Sequence, residues 1–258
     1  MGQNKFDLPL EYKKMPEYFD AHNIGDDTDA KNAVVEKLLS KHKAKTVLDL
    51  TCGTGSQVFF LNKRGYDVTG SDFSPALLDI ARKNAAAGKV SVKFIDGDMR
   101  TLKIGRFDAA ITMFNAIGHL SKAGFEKAVR NIHKNLNRDG IYIFDIMNLT
   151  VISENSIDSL AMDFTKTIGD TKIRNVQYST IDSEKGRLTS YDAYTIQEGS
   201  NQPKKLKHNF TLQIYTADEL KDILARNRFE TLEQYAIDGS KFVETKSENI
   251  LTVAKKLD

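Results

Sequence analysis

A single cysteine, Cys52, stands among the 258 residues, so no internal disulfide can form and nothing asks for an oxidising compartment. Long apolar runs are also missing: none approaches the roughly 18 residues of a membrane-spanning helix. The opening Met1-Gly2-Gln3-Asn4-Lys5-Phe6-Asp7 lacks the apolar core of a secretory signal and is no myristoylation site. Charge of one sign is absent too. With 37 Lys+Arg against 35 Asp+Glu the net charge is +2, which removes the basic excess by which proteins track nucleic acid or anionic lipid. Five scattered histidines and one cysteine offer no metal-ligand spacing. These absences lead to a cytoplasmic protein with no metal, no nucleic-acid partner and no membrane partner. What is present is ordinary for a globular chain, 40% apolar and 28% charged residues. The length suits one large domain or a domain with a substantial insert.

From residue 46, β-rich runs alternate with helix-period stretches, the pattern of a parallel sheet with crossover helices. Strands are expected at 46–50, 66–71, 90–95, 109–114 and 141–146. Gly65 closes a short helix, and Ser74-Pro75 opens another that ends at Gly88. A third starts at Ser121, with Phe125, Val129, Ile132 and Leu136 on one face, and Asp139-Gly140 turns it into the fifth strand. From about 162 to 215 the helical period vanishes. Alternating apolar and polar residues separated by Gly169-Asp170, Lys185-Gly186 and Gly199-Ser200 turns read as an inserted antiparallel sheet. Thr216 and Glu219 form a capping box for a last helix. Strands at 229–235 and 250–254 follow, joined by too short a segment for a parallel crossover, and so form a hairpin. Four segments result: 1–45, a helical segment and flap holding Tyr12, Tyr18 and the acidic Asp26, Asp27 and Asp29; 46–150, a binding core; 151–215, the β insert; and 216–258, completing the core sheet. The insert offers a surface for homo-oligomer formation.

Val47-Leu48-Asp49-Leu50-Thr51-Cys52-Gly53-Thr54-Gly55 is a buried strand emptying into a glycine-rich turn before a helix. Such a turn lets a ligand approach the backbone. A dinucleotide fingerprint starting at Gly53 requires glycine at 58, where Val58 stands. Asp49 before the turn would repel a pyrophosphate but accept from an ammonium. The ligand therefore carries an amino group rather than a diphosphate.

These residues resemble the class I S-adenosylmethionine-dependent methyltransferases. The resemblance covers most of the chain and implies a Rossmann-like α/β fold, a seven-stranded, mostly parallel sheet with an antiparallel seventh strand. It implies S-adenosylmethionine as cofactor, held by Asp49, Thr51, Cys52, Gly53 and Gly55. Asp72 would take the ribose hydroxyls with Phe73 beside the adenine; Asp98 would bind the adenine amino group and Met99 line the ring. Within the class, Gly97-Asp98-Met99-Arg100, Met113-Phe114-Asn115-Ala116-Ile117-Gly118-His119-Leu120 and the insert look most like the deoxyamino-sugar N,N-dimethyltransferases. The glycine and sarcosine N-methyltransferases are more distantly similar. Asp145-Ile146-Met147-Asn148 departs from the sugar enzymes, which carry an aromatic-rich segment there.

The activity so implied is methyl transfer to a small acceptor, with S-adenosylhomocysteine as product. An amine nitrogen is the first candidate, and O- or C-methylation or a non-catalytic binder of the cofactor are the competitors. His119, Tyr12 and Tyr18 are the candidate catalytic residues, with Tyr18 and Met113 also toward the cofactor. Asn115, Asp145 and Asn148, at carboxyl ends of strands, are candidates for the acceptor. An amine must attack as the neutral base, and a histidine near neutral pKa is suited to accept or relay its proton. Cys52 reads as a small residue tolerated in the turn, because no partner is placed to activate it.

Overall fold

The computed structural model describes residues 7–25, 27–152 and 161–258. Asp26 of the acidic loop, residues 1–6 and residues 153–160 of the expected insert lie outside the described residues. Two short 3-10 turns, Leu10–Tyr12 and Pro16–Tyr18, lead into α1 (Phe19–Asn23) and α2 (Thr28–Lys41). The core then alternates β1 (Thr46–Asp49), α3 (Ser56–Asn62), β2 (Asp67–Asp72), α4 (Pro75–Ala87), β3 (Lys93–Asp96) and β4 (Phe107–Thr112). It continues with α5 (Lys122–Lys134) and β5 (Leu136–Met147). Strands β1 to β5 are mutually parallel where they pair, so their carboxyl ends share one edge of the sheet.

A separate meander follows: β6 (Met162–Ile168), β7 (Thr171–Asp182), β8 (Arg187–Glu198) and β9 (Lys204–Gln213), all antiparallel. α6 (Ala217–Arg226), β10 (Phe229–Tyr235) and β11 (Asn249–Lys256) return to the core. The large sheet runs β10-β11-β5-β4-β1-β2-β3, with β11 antiparallel to both neighbours. This is the α/β fold with an antiparallel last strand and an added antiparallel sheet that the sequence implied.

Helices cover both faces of the large sheet, which is why its central strands are apolar throughout rather than alternating. Leu48, Ala110 and Phe144 pack under α5 and α6, while Val47, Ile111 and Ile143 pack under α2 and α3. The capping box holds at α6: the Thr216 hydroxyl accepts from the Glu219 amide and the Glu219 carboxylate from the Thr216 amide. In the smaller sheet one face is buried, with Ile173, Leu188, Tyr194 and Phe210 on it. One end of that face packs on Leu10 and Met15 of the N-terminal segment and the other on Ile152 and Ile214.

Several element boundaries differ from the sequence reading. β3 begins at Lys93 rather than Val90, and Leu136, expected on α5, opens β5. Asp139 adopts φ 59 within that strand, so 139–140 bends it rather than preceding it. β4 stops at Thr112 instead of 114, because Phe114 (φ 62) and Asn115 (φ 59) both turn left-handed.

Candidate functional site

The carboxyl ends of β1, β2, β3 and β4 meet the N-terminal segment around a cavity of about 390 Å³. The turn after β1 is made by two left-handed glycines, Gly53 at φ 51 and Gly55 at φ 97. Side chains are excluded there by contact as well as by conformation: a Cβ on Gly55 would lie 2.6 Å from the Phe59 ring, and one on Gly53 3.1 Å from Phe19.

Two carboxylates face this cavity from the interior. Asp49, 3% exposed, accepts the Thr51 amide at 3.0 Å; Asp72, also 3% exposed, accepts the amides of Gly53 and Ser74 at 2.9 Å each. Burial pushes the Asp49 carboxyl up to about 7, countered by the Thr51 amide and reinforced by the charge of Asp72. Burial raises Asp72 to about 6 against its amide donors. Asp49 is therefore readily protonated near neutral pH until a cation or a set of donors stabilises the anion, whereas Asp72 is mostly ionised there. Asp98 differs. It is half-exposed and gripped by Arg100, whose Nε lies 2.9 and 3.0 Å from its two oxygens.

On the opposite side, Tyr12 stacks on Phe73 at 5.8 Å between centroids and meets Phe19 edge-on at 5.5 Å. Its backbone carbonyl accepts the Ser74 hydroxyl, fastening the N-terminal segment to the end of β2. The Tyr12 hydroxyl lies 3.3 Å from His119 Nε2, and His119 Nδ1 is buried with no hydrogen-bond partner. Burial drives the His119 imidazole down to about 4 and the Tyr12 phenol well above its usual range. At neutral pH both groups are uncharged. The imidazole thus has one nitrogen engaged by Tyr12 and the other buried without a protein partner.

The cavity collects Tyr12, Asp49, Thr51, Cys52, Gly53 and Asp72 from the sequence-derived set. Phe73, Asp98, Met99, Met113 and His119 line it as well. Cys52 fits between β1 and β2 because Gly70 has no side chain: a Cβ there would be 3.1 Å from Sγ. Its thiol is held far above the ordinary range by burial, so it is inert at neutral pH.

Five expected residues are not in the cavity wall. Tyr18 turns toward the smaller sheet and packs with the Leu10, Met15 and Tyr194 cluster, because the 3-10 turn at Pro16 gives the cavity-facing direction to Phe19 instead. Gly55 shapes the turn without lining the space. Asn148 is fully buried as a staple, its Nδ2 donating to the carbonyls of Glu244 (2.7 Å) and Ser247 (2.9 Å). Asp145 and Asn115 bind each other, the Asn115 amide lying 3.3 Å from both carboxylate oxygens.

The sequence reading missed Gln57. It is 4% exposed, lines the cavity, and neither its Oε1 nor its Nε2 has a partner; Thr51, on the same cavity wall, has a hydroxyl that is likewise unsatisfied. Buried amides are paired as a rule, so such a group points to a ligand. The available signal was its position one residue into the helix that follows Gly55. Among the described residues, no group of three His, Cys, Asp or Glu could hold a metal ion, and no helix is long and apolar enough to cross a membrane.

Residues 47–140 match the model of a methyltransferase domain, the stretch that runs from β1 through the start of β5. Over that stretch the chain is similar to S-adenosylmethionine-dependent methyltransferases. The chain is 26% identical over 234 residues to a putative methyltransferase of Geobacillus sp. (strain WCH70), covering 88% of this chain and 92% of that one. It is 29% identical over 168 residues to the dTDP-3-amino-3,6-dideoxy-alpha-D-glucopyranose N,N-dimethyltransferase of Streptomyces fradiae, covering 64% of this chain but 63% of that enzyme. In fold it is similar to an S-adenosylmethionine-dependent methyltransferase from Clostridium acetobutylicum, with a TM-score of 0.78, 16% identity and coverage of 94% and 97%.

Proposed function

We propose that the protein is a methyltransferase that methylates a small molecule, at an amine nitrogen such as that of an amino sugar or amino acid, with S-adenosylmethionine as donor. The observation that carries the reading is one cavity in which two buried carboxylates, Asp49 and Asp72, share space with an imidazole whose Nδ1 is unpartnered. A ligand with an ammonium and hydroxyls satisfies the carboxylates, and an acceptor N–H or O–H satisfies the imidazole. The name of the Streptomyces fradiae relative supports an amino sugar as the acceptor class.

The residues fit the donor. Asp49 suits its ammonium, with the unsatisfied Gln57 amide and Thr51 hydroxyl toward the carboxylate; Asp72 suits the ribose hydroxyls, and Met99 with Phe73 the adenine. Asp98 has lone pairs left for the adenine amino group only beside its pairing with Arg100. When bound, the sulfonium supplies an activated methyl group, so the protein's task is to align the acceptor and exclude water.

His119 acts as an orienting partner in this scheme. Moving a proton from an ammonium at about 8–10 to an imidazole near 4 crosses about four to six pKa units, roughly 6–8 kcal/mol at about 1.4 kcal/mol each. The amine must therefore enter neutral. His119 then fixes its lone pair toward the methyl group, with Tyr12 fixing the ring.

The net charge of +2 supports a small acceptor over nucleic acid; salt-sensitive, submicromolar retention of DNA or RNA would overturn that part. The test of the whole is S-adenosylhomocysteine formation with a panel of amino sugars, amino acids, simple amines and phenols. Turnover confined to amines supports the proposal. Turnover confined to phenols overturns the choice of nitrogen, and binding of the donor with no turnover across the panel overturns the small-amine reading.

A further inference from the structure

The turn between β4 and α5 supplies Met113, Phe114, Ala116, His119 and Leu120 to the cavity wall. Its start is strained. Phe114 and Asn115 are consecutive non-glycine residues in the left-handed region, at φ 62 and φ 59. Such conformations are unfavourable for a residue with a side chain and persist where the surroundings over-determine them. The consequence here is specific: Phe114, a large aromatic, is held 38% exposed at the cavity rather than buried, and the chain is aimed into the short 3-10 helix that ends at His119.

What over-determines this turn is a carboxylate. Thr112, the last residue of β4, pairs with Phe144, so Asp145 sits one step beyond the end of β4, under the amides of the turn. The Asn115 N–H lies 3.3 Å from both Asp145 oxygens, and the Phe114 N–H also stabilises the anion. Successive amides brought together in this way form a nest for an anion. Asp145 is 2% exposed, and burial raises its carboxyl to about 6 against these amide donors, so the anion still prevails at neutral pH. The Asn115 side chain receives one further tether, from Asn249 Nδ2 at 3.2 Å.

We propose that Asp145 is a positioning residue for methyl transfer: its carboxylate, seated on the left-handed amides of Phe114 and Asn115, holds Phe114 and His119 at the acceptor side. The consequence for activity rests on the small-amine reading, whereas the positioning itself does not. Displacements of about an ångström in such walls cost on the order of 100-fold in rate. Glycine enters the left-handed region without strain, so Asn115→Gly lets the turn stand without its anchor.

The test uses the full chain with three proteins: wild type, Asp145→Asn, and Asp145→Asn combined with Asn115→Gly. Hydrogen exchange of residues 113–120 is followed with S-adenosylhomocysteine bound, and kinetics with the panel amine that wild type methylates fastest. Because both Asp145 oxygens receive turn amides, the side-chain NH2 of Asp145→Asn would face a backbone N–H; it should speed exchange in that segment and lower kcat by about 10–100-fold, with the affinity for S-adenosylhomocysteine within about twofold of wild type. The double variant should recover most of both losses. Exchange unchanged in Asp145→Asn overturns the proposal, and so does a loss of S-adenosylhomocysteine affinity that the glycine fails to restore, since that marks general unfolding. Failure of the amine reading appears separately, as a wild type that methylates no amine, and exchange then still decides the positioning role.

Discussion

Asp49→Asn separates the ligand-binding logic of the cavity from mere packing. In the free protein burial raises the Asp49 carboxyl to about 7. If the donor's ammonium binds the ionised form, the apparent dissociation constant carries a factor of one plus the ratio of protonated to ionised carboxyl. That factor is about 11 at pH 6 and about 1.1 at pH 8, so affinity falls roughly tenfold between them, with about one proton released per ligand at the lower pH. The ligand's own α-amino group, near 7.7–8.0, loses its charge on the alkaline side. Affinity should therefore peak between about pH 7 and 8. Asp49→Asn can still accept the Thr51 amide, so the turn survives. It should weaken binding at neutral pH by about 1.5–3 kcal/mol, a charge-assisted hydrogen bond, and lose the acid limb above pH 6.

Stability moves the other way. A carboxyl raised from 3.8 to about 7 by folding contributes most below pH 4, and the contribution is lost as pH rises through about 7. The full effect is up to about 4 kcal/mol, so the free Asn variant should melt higher than wild type at pH 8. Calorimetric titration with S-adenosylhomocysteine from pH 5.5 to 9, in buffers of different ionisation enthalpy, measures affinity and proton release together. A flat affinity from pH 6 to 8 in wild type, or an acid limb that persists unchanged in the variant, would refute the reasoning.

Asp72→Ala should weaken S-adenosylhomocysteine by about 1–3 kcal/mol by calorimetry, because a hydrogen-bonded anion is lost. His119→Ala should keep that affinity and lose turnover with an amine acceptor by a uniform factor across pH 6–9, since an imidazole at about 4 does not titrate there; an acidic limb near pH 7 that vanishes in the variant would show a proton acceptor instead. Gly55→Ala should abolish donor binding and lower the melting temperature, because φ 97 and the Phe59 ring 2.6 Å away both exclude a Cβ.

The sequence by itself determined the alternation of strands and helices, the glycine turn, the insert and the closing hairpin. Each depends on short-range patterns: period-2 and period-3.6 apolar spacing, Thr216 three residues before Glu219, and glycine where φ must be positive. The cavity wall around the strand ends was legible for the same reason. Asp49, Asp72 and Asp98 terminate or follow parallel strands, and parallel strands necessarily bring their carboxyl ends to one edge. Tertiary structure decided the wall facing them. Whether Tyr12 or Tyr18 faces the cavity depends on a 3-10 turn at Pro16, where a single residue's rotation hands the place to Phe19. The pKa values of Asp49 and His119 come from burial, which no local pattern reports. Asn148 and Asp145 stand at the expected strand end, but their partners are 30 to about 100 residues away in sequence: Glu244 and Ser247 for one, Asn115 for the other. Those contacts, made only once β5 lies between β4 and β11, turn two candidate ligand residues into the supports of the wall behind them.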